Sequence, residues 1–319
     1  MTTAAFRYTL CLIILGGIVG LQAEKTDIRF FTPKRTGDAY WFIEDRDLLS
    51  TTLITENGKP VSSQRNEFKS QFEANAVVVR ANDVGRAIEE RFEVIKFTVI
   101  RPDQTEPTSI LPPGTLFYGR LELGEKVFTS PDGKELPQAV TNYLKQIIGL
   151  RDNSITDQDL LGPGGLVSPG ETWPVNGNLV AEDFNFDLSL LADGEHVDGT
   201  VTFVEKATID GQDYARIEKQ INLSNVKVPP GRGMNTIKGT VNASTTATLP
   251  LSGPVYPYEQ NLDLETVIIM QPIQQRQLAR RAIMVNSTIS SKLRSKWLPR
   301  DESVTEFDRT IGSTEKSEP

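Results

Sequence analysis

A few residues in this chain have types and spacings that could do chemistry. His196 is the one histidine and Cys11 the one cysteine. A metal site with two imidazoles cannot be built from a single histidine, and no thiolate follows residue 11, so zinc catalysis is disfavoured. His196 could serve a Ser-His-Asp triad, but it stands in Ala192-Asp193-Gly194-Glu195-His196, a hydrophilic turn, and no Gly-x-Ser-x-Gly elbow occurs. Asp183-x-Asn185-x-Asp187-x-Ser189 matches the opening of a calcium loop. The sixth position, however, must be a turning glycine and is Leu188, and the twelfth must be a carboxylate and is Gly194. Glycoside cleavage needs two carboxyl groups within about 5 to 10 Å, and among 42 acidic residues no spacing singles out a pair. Trp41 and Trp173 could stack a sugar, line an apolar cavity or plug a core. No phosphate-binding glycine loop is present. The sequence therefore assigns no catalytic, metal or cofactor-binding residue, and leaves any ligand-binding residues unknown.

The elements that would have to position a site are mainly strands. Asn57-Gly58, Pro112-Pro113-Gly114, Pro131-Asp132-Gly133, Asp193-Gly194, Asp210-Gly211 and Pro229-Pro230-Gly231 separate runs rich in Val, Ile, Thr and Phe, the rhythm of an antiparallel sheet. Strands are expected at Val180 to Leu190, Thr200 to Ile209, Tyr214 to Leu223, Asn235 to Leu249 and Asn261 to Met270. In the first of these, Phe184, Phe186, Leu188 and Leu190 alternate with polar residues. Gly85 to Ile100 also fits helical spacing, but the β-branched residues of Val94 to Ile100 favour a strand. Leu136, Val140, Tyr143, Leu144, Ile147 and Ile148 recur at intervals of three and four before Gly149, which predicts one amphipathic helix, packed on the sheet or turned to a partner. A short turn is expected at Asp157 to Leu161. The fold class is thus mainly β (α+β), a curved antiparallel sheet with a helix against it.

Thr36-Gly37-Asp38-Ala39-Tyr40 is echoed by Pro169-Gly170-Glu171-Thr172-Trp173, and each copy precedes a series of strands. This suggests a β-rich domain, 24–272, in two halves (24–161 and 166–272) joined by the connector Gly162-Pro163-Gly164-Gly165; duplication and chance both explain the echo. Beyond it, Gln274 to Arg300 holds seven basic residues and no acid, and the chain then turns polar and acidic to Pro319. The last 19 residues are expected to be disordered. The basic stretch either meets an anionic surface or contains an edge strand, Ala282 to Ile289, with solvated charges around it.

Residues 1–23 read as a signal peptide, with Arg7, an apolar run from Leu10 to Leu21, and Ala23 at the cleavage position. The run is shorter than the roughly 20 residues that span a bilayer, so cleavage is favoured over retention as an anchor. Removing it leaves no cysteine and 33 basic against 42 acidic residues. A cysteine-free mature chain outside the cytoplasm fits a bacterial envelope, in the periplasm or at the cell surface. Its acidity disfavours nucleic acid, or anionic lipid as a partner for the whole surface, and leaves the membrane engaged only through the uncleaved signal.

Asn82-Asp83-Val84-Gly85-Arg86, Leu111-Pro112-Pro113-Gly114-Thr115, Pro131-Asp132-Gly133-Lys134, Gly170-Glu171-Thr172-Trp173-Pro174 and Pro229-Pro230-Gly231 before Ile237-Lys238-Gly239 stand in an order that resembles a family of exported bacterial β-rich proteins of unknown function. In outline that family is similar to periplasmic lipoprotein-carrier (LolA-like) folds. The resemblance implies a two-lobed curved sheet with a helix against it and carries no active-site residue. The leading expectation is a non-catalytic envelope protein that binds an apolar ligand or a protein partner. A structural scaffold and a carboxylate-dependent hydrolase of an envelope polymer are the alternatives. A ligand binder needs a concave cavity, a scaffold a core closed by side chains, and a hydrolase two converging acids with one pKa raised by burial.

Overall fold

The computed structural model describes residues 25–102, 104–187, 190–229, 233–273 and 281–298. The expected signal peptide, the acidic tail, Leu188 and Ser189, and Gln274 to Arg280 with Pro299 and Arg300 of the basic stretch lie outside these residues. Twelve strands follow in chain order: β1 Ala39–Glu56, β2 Lys59–Ala81, β3 Ala87–Ile100, β4 Thr108–Leu111, β5 Leu116–Glu122, β6 Glu125–Thr129, β7 Thr172–Pro174, β8 Val197–Ile209, β9 Gln212–Ser224, β10 Met234–Pro250, β11 Glu259–Pro272 and β12 Arg281–Leu298. All pair antiparallel in one open curved sheet, ordered β6-β5-β3-β2-β1-β12-β11-β10-β9-β8-β7, with β4 on β3. The turn residues of the sequence punctuate it as expected, except Pro230-Gly231, which lie outside the described residues, and the ambiguous segment before Ile100 is strand β3.

Two expectations are corrected. Val180 to Leu190 is not a strand: Gly177–Asp187 forms helix α3. Asn176 starts it, its carbonyl accepting from Val180 N–H at 2.9 Å and its side chain from Leu179 N–H at 3.3 Å. The pattern that counts is helical, with Val180 and Ala181 buried and Phe184 one turn on, and it outweighs the alternation further along. Second, the basic stretch does not contain an edge strand. β12 is the central strand, paired with β1 along its whole length and with β11 from Ile283 to Leu293. Its period of two resolves the charge: Lys292, Arg294 and Lys296 face outward opposite Asp45, Ile43 and Trp41, while Ile289, Leu293 and Ser295 face inward.

Helix α1, Gln138–Ile147, buries Val140 and Leu144; α2, Asp157–Leu161, is held by a capping box between Thr156 and Asp159. Among the described residues there are thus three α-helices where one helix and a short turn were expected. One cluster takes Phe72, Phe92, Phe97, Phe117 and Phe128, each essentially sealed from water, with Leu144 and Ile148; Phe92 and Phe117 stack at 5.0 Å. A second cluster takes Ile28, Phe30, Trp173, Val201, Phe203 and Ile217 beneath α2 and α3.

The two echoed turns have the same geometry. Asp38 N–H donates to Arg35 O at 2.9 Å and Glu171 N–H to Ser168 O at 3.0 Å. Gly37 and Gly170 both have φ of 86°, in the left-handed region that disfavours any residue with a Cβ. Gly37 N–H donates to Val78 O and Val78 N–H returns to Asp38 O, both at 2.8 Å. Gly170 N–H donates to Phe203 O at 2.6 Å, and Phe203 N–H returns to Glu171 O at 3.0 Å.

Candidate functional site

The strand period puts Tyr40, Phe42 and Glu44 of β1 on the inner face, beside Glu90 and Phe92 of β3 and Leu293 and Ser295 of β12. α1 covers part of this face and ends at Ile147, and the chain then leaves through Ile148 and Gly149. Tyr256 and Pro257 come down from the other side, and Ser295 fixes them by donating from its hydroxyl to Pro257 O at 2.7 Å. These groups and Lys34 enclose a cavity of about 280 Å3. Its walls are Phe42, Phe92, Ile147, Ile148, Tyr256 and Leu293.

Charge pairs stand at both ends. At one end Lys34 Nζ donates to Glu90 Oε1 at 2.9 Å, and Tyr40 Oη donates to the same oxygen at 2.8 Å. The ammonium lies over the Tyr40 ring at 4.6 Å and near the Tyr256 ring at 5.7 Å, so aromatic faces replace part of its hydration. Burial, and then the negative charge of Glu90, push the phenols of Tyr40 and Tyr256 up from their usual range. At the other end Arg46 donates from Nε and Nη2 to Glu44 Oε1 at 3.0 and 2.6 Å, and from Nη1 to Gln146 O at 2.5 Å, which ties α1 to the sheet. Burial pushes the Glu44 carboxyl up, with Arg46 pulling the other way.

Glu44 and Glu90 are two acids in one cavity, one with a raised pKa, as a carboxylate hydrolase would need. The register keeps them apart. Glu90 pairs with Val78, whose N–H bonds Asp38 O, so Glu90 lies level with a residue six positions from Glu44. At about 3.3 Å per residue that is about 20 Å between their backbones along the strand, so both side chains would have to extend toward each other to reach even the wider glycosidase spacing, and each is instead drawn to its own cation, Arg46 or Lys34.

The residues singled out from the sequence lie elsewhere. His196 is exposed in a 3-10 turn. Asp183 accepts from Arg151 at 2.5 Å and Asn153 at 2.9 Å, and Asn185 bonds both backbone groups of Ala192, so α3 uses these side chains for docking. Trp173 is buried and donates to Leu161 O at 2.7 Å, a core plug. Trp41 lies on the outer face and donates to Glu73 at 3.0 Å. Lys34, Glu44, Glu90, Tyr256 and Leu293 escaped notice, although a signal existed: Glu44 is in phase with Tyr40 and Phe42, and Glu90 with Phe92 and Val94. A carboxylate on the apolar face of a strand is where a cavity or an ion pair belongs.

No family model matches the chain, and no curated protein matches it. Among solved structures it is similar to lipovitellin, described for its lipid–protein interactions, at 9% identity with a TM-score of 0.34, covering 83% of this chain and 25% of that one. It is similar to OpdQ of Pseudomonas aeruginosa at 8% identity and a TM-score of 0.24, covering 81% and 98% of the two chains. A DUF1329 family protein from Desulfovibrio piger follows at 9% identity and a TM-score of 0.11, covering 83% and 90%. Scores this low leave function to be read from the site itself.

Proposed function

We propose that this protein is a non-catalytic envelope protein that binds a small, uncharged apolar ligand in the cavity between α1, β1, β3 and β12. The carrying observation is an open cavity of about 280 Å3 walled by aromatic and aliphatic side chains beside the phenylalanine cluster of the core. That volume lies just below the roughly 300 to 1,000 Å3 of small-molecule sites, which restricts it to a small ligand. Lys34 already has Glu90 at 2.9 Å and Arg46 has Glu44 at 2.6 Å, so the cavity offers no net charge to an ion. The separation of the two acids favours this reading over the hydrolase. The apolar leader and the cysteine-free remainder support a site of action in the periplasm or at the cell surface. The matching turns at Gly37 and Gly170 support descent of the halves 24–161 and 166–272 from one ancestor.

Binding of the neutral probe N-phenyl-1-naphthylamine, followed by its fluorescence, tests the site. Gly149 lines the cavity and a Cβ there meets nothing within 4 Å, so Gly149→Phe starts from an unobstructed Cβ and sets a ring at its mouth. Saturable probe binding that weakens at least tenfold in Gly149→Phe, with unchanged urea stability, is the expected result. Binding that is not saturable, or is indifferent to the substitution, overturns the proposal.

A further inference from the structure

We infer that the end of the sheet formed by the β1–β2 hairpin, the start of β10, the end of β11 and the start of β12 docks on an anionic lipid surface. This stands apart from the cavity and does not depend on it. Leu53, Met284 and Ile269 are aligned on one face at this end and Ile54, Ile283 and Met270 on the other. All six are half-buried. Strands apolar on both faces belong between two covering layers, yet α1, α2 and α3 pack elsewhere on the sheet. At the rim, Val61, Ile237 and Ile273 are 55%, 57% and 62% exposed.

Charge selects the partner. The whole chain has 34 basic and 42 acidic residues. From Thr51 outward, and at the aligned positions of β2, β10, β11 and β12, the described charged side chains are Lys59, Arg65 and Lys238 against a single acid, Glu56. Arg65 is held by Glu67, and the others give this end the opposite sign to the molecule. Exposed aliphatic side chains ringed by lysine are the composition of a surface that dips into lipid while its cations meet phosphate headgroups. A second copy would bring like charges face to face. Protein interfaces favour Tyr, Trp and Phe, and the described residues of this end include none.

Vesicle flotation of the exported full-length protein tests this, with phosphatidylcholine alone and with phosphatidylcholine and phosphatidylglycerol in equal parts. Binding is expected only to the anionic vesicles and to fade as salt is raised. Lys59→Gln with Lys238→Gln removes two surface charges and should weaken partitioning about 30-fold, about fivefold per lysine. Ile237→Ser with Ile273→Ser should weaken it about tenfold or more, and both sites are exposed enough to leave the urea midpoint unchanged. Equal binding to both vesicle types overturns the inference. So does parent-like binding by both variants, which would place the affinity elsewhere on the protein, and so does self-association or protein capture without vesicle binding.

Discussion

Replacing Lys34 and Glu90, singly and together, tests whether the charged end of the cavity works as one unit. Glu90 is 5% exposed and Lys34 25% by side chain, at 2.9 Å. Lys34→Met strands a buried carboxylate that keeps only the Tyr40 hydroxyl, at a cost of about 3 kcal/mol, the low end for a broken buried pair. Glu90→Gln preserves an acceptor for Tyr40 but leaves the ammonium without its partner. Because Lys34 reaches water, about 2 kcal/mol is expected there. The double variant removes both charges and keeps the Tyr40 hydrogen bond, so its cost should be about 1 to 2 kcal/mol. The two sites should therefore couple by about 3 kcal/mol, read as urea midpoints. With a slope of about 3 kcal/mol per molar urea, Lys34→Met shifts the midpoint by about 1 M and the double variant by clearly less. Single costs that add within about 0.5 kcal/mol would refute the reasoning, because charges that do not share a desolvated site behave additively.

Two further outcomes follow from the structure. The phenols of Tyr40 and Tyr256 have folded pKa values above their unfolded value, so the stability they contribute is complete below pH about 10 and is lost as pH rises beyond it. Alkaline titration should show two of the seven tyrosines forming phenolate only as the fold is lost, and Tyr40→Phe with Tyr256→Phe should abolish that delayed phase. Smooth ionisation of all seven near pH 10 would contradict it. Gly170→Ala puts a Cβ in open space but at φ of 86°, so about 1 to 2 kcal/mol of pure backbone strain is expected in thermal unfolding. Gly37→Ala should cost at least as much, and the two should add, since they lie in separate turns; a neutral effect at either would break the equivalence of the turns.

What the sequence made legible was local. Pro112-Pro113-Gly114 and Asp210-Gly211 mark turns by their own chemistry, and the strands from Thr200 to Met270 carry their β-branched residues regardless of neighbours. Leu123, at φ of 50° in the tight β5–β6 turn, was invisible because nothing but the following Gly124 announces it. α3 was misread because two periodicities overlap in Val180 to Asp187, and the decision belongs to Asn176 at its start and to the core beneath Val180. Of the candidate site, Glu90, Phe92, Ile147 and Ile148 lie on elements that were expected, whereas β1 was given no range and Leu293 lies beyond the strand expected at Ala282 to Ile289; Lys34, Glu90 and Leu293 meet only across sequence separations of 56 to 259 residues, which no local pattern encodes.

The clearest case of non-local choice is β12. Read alone, Arg281 to Leu298 is a basic strand suited to an edge, because lysines there would be solvated and would resist further pairing. It is central because the outward period of its cations meets Asp45 on β1 and Glu259 at the start of β11, with Lys292 Nζ 3.0 Å from Glu259. The same period turns Ile289, Leu293 and Ser295 inward, where Leu293 walls the cavity and Ser295 holds Pro257 over it. At its first residues the alternation gives way to Ala282-Ile283-Met284-Val285, apolar toward both faces. One strand therefore joins β1 to β11, shapes the cavity at one level, and at the other leaves an apolar end that the other described elements do not cover.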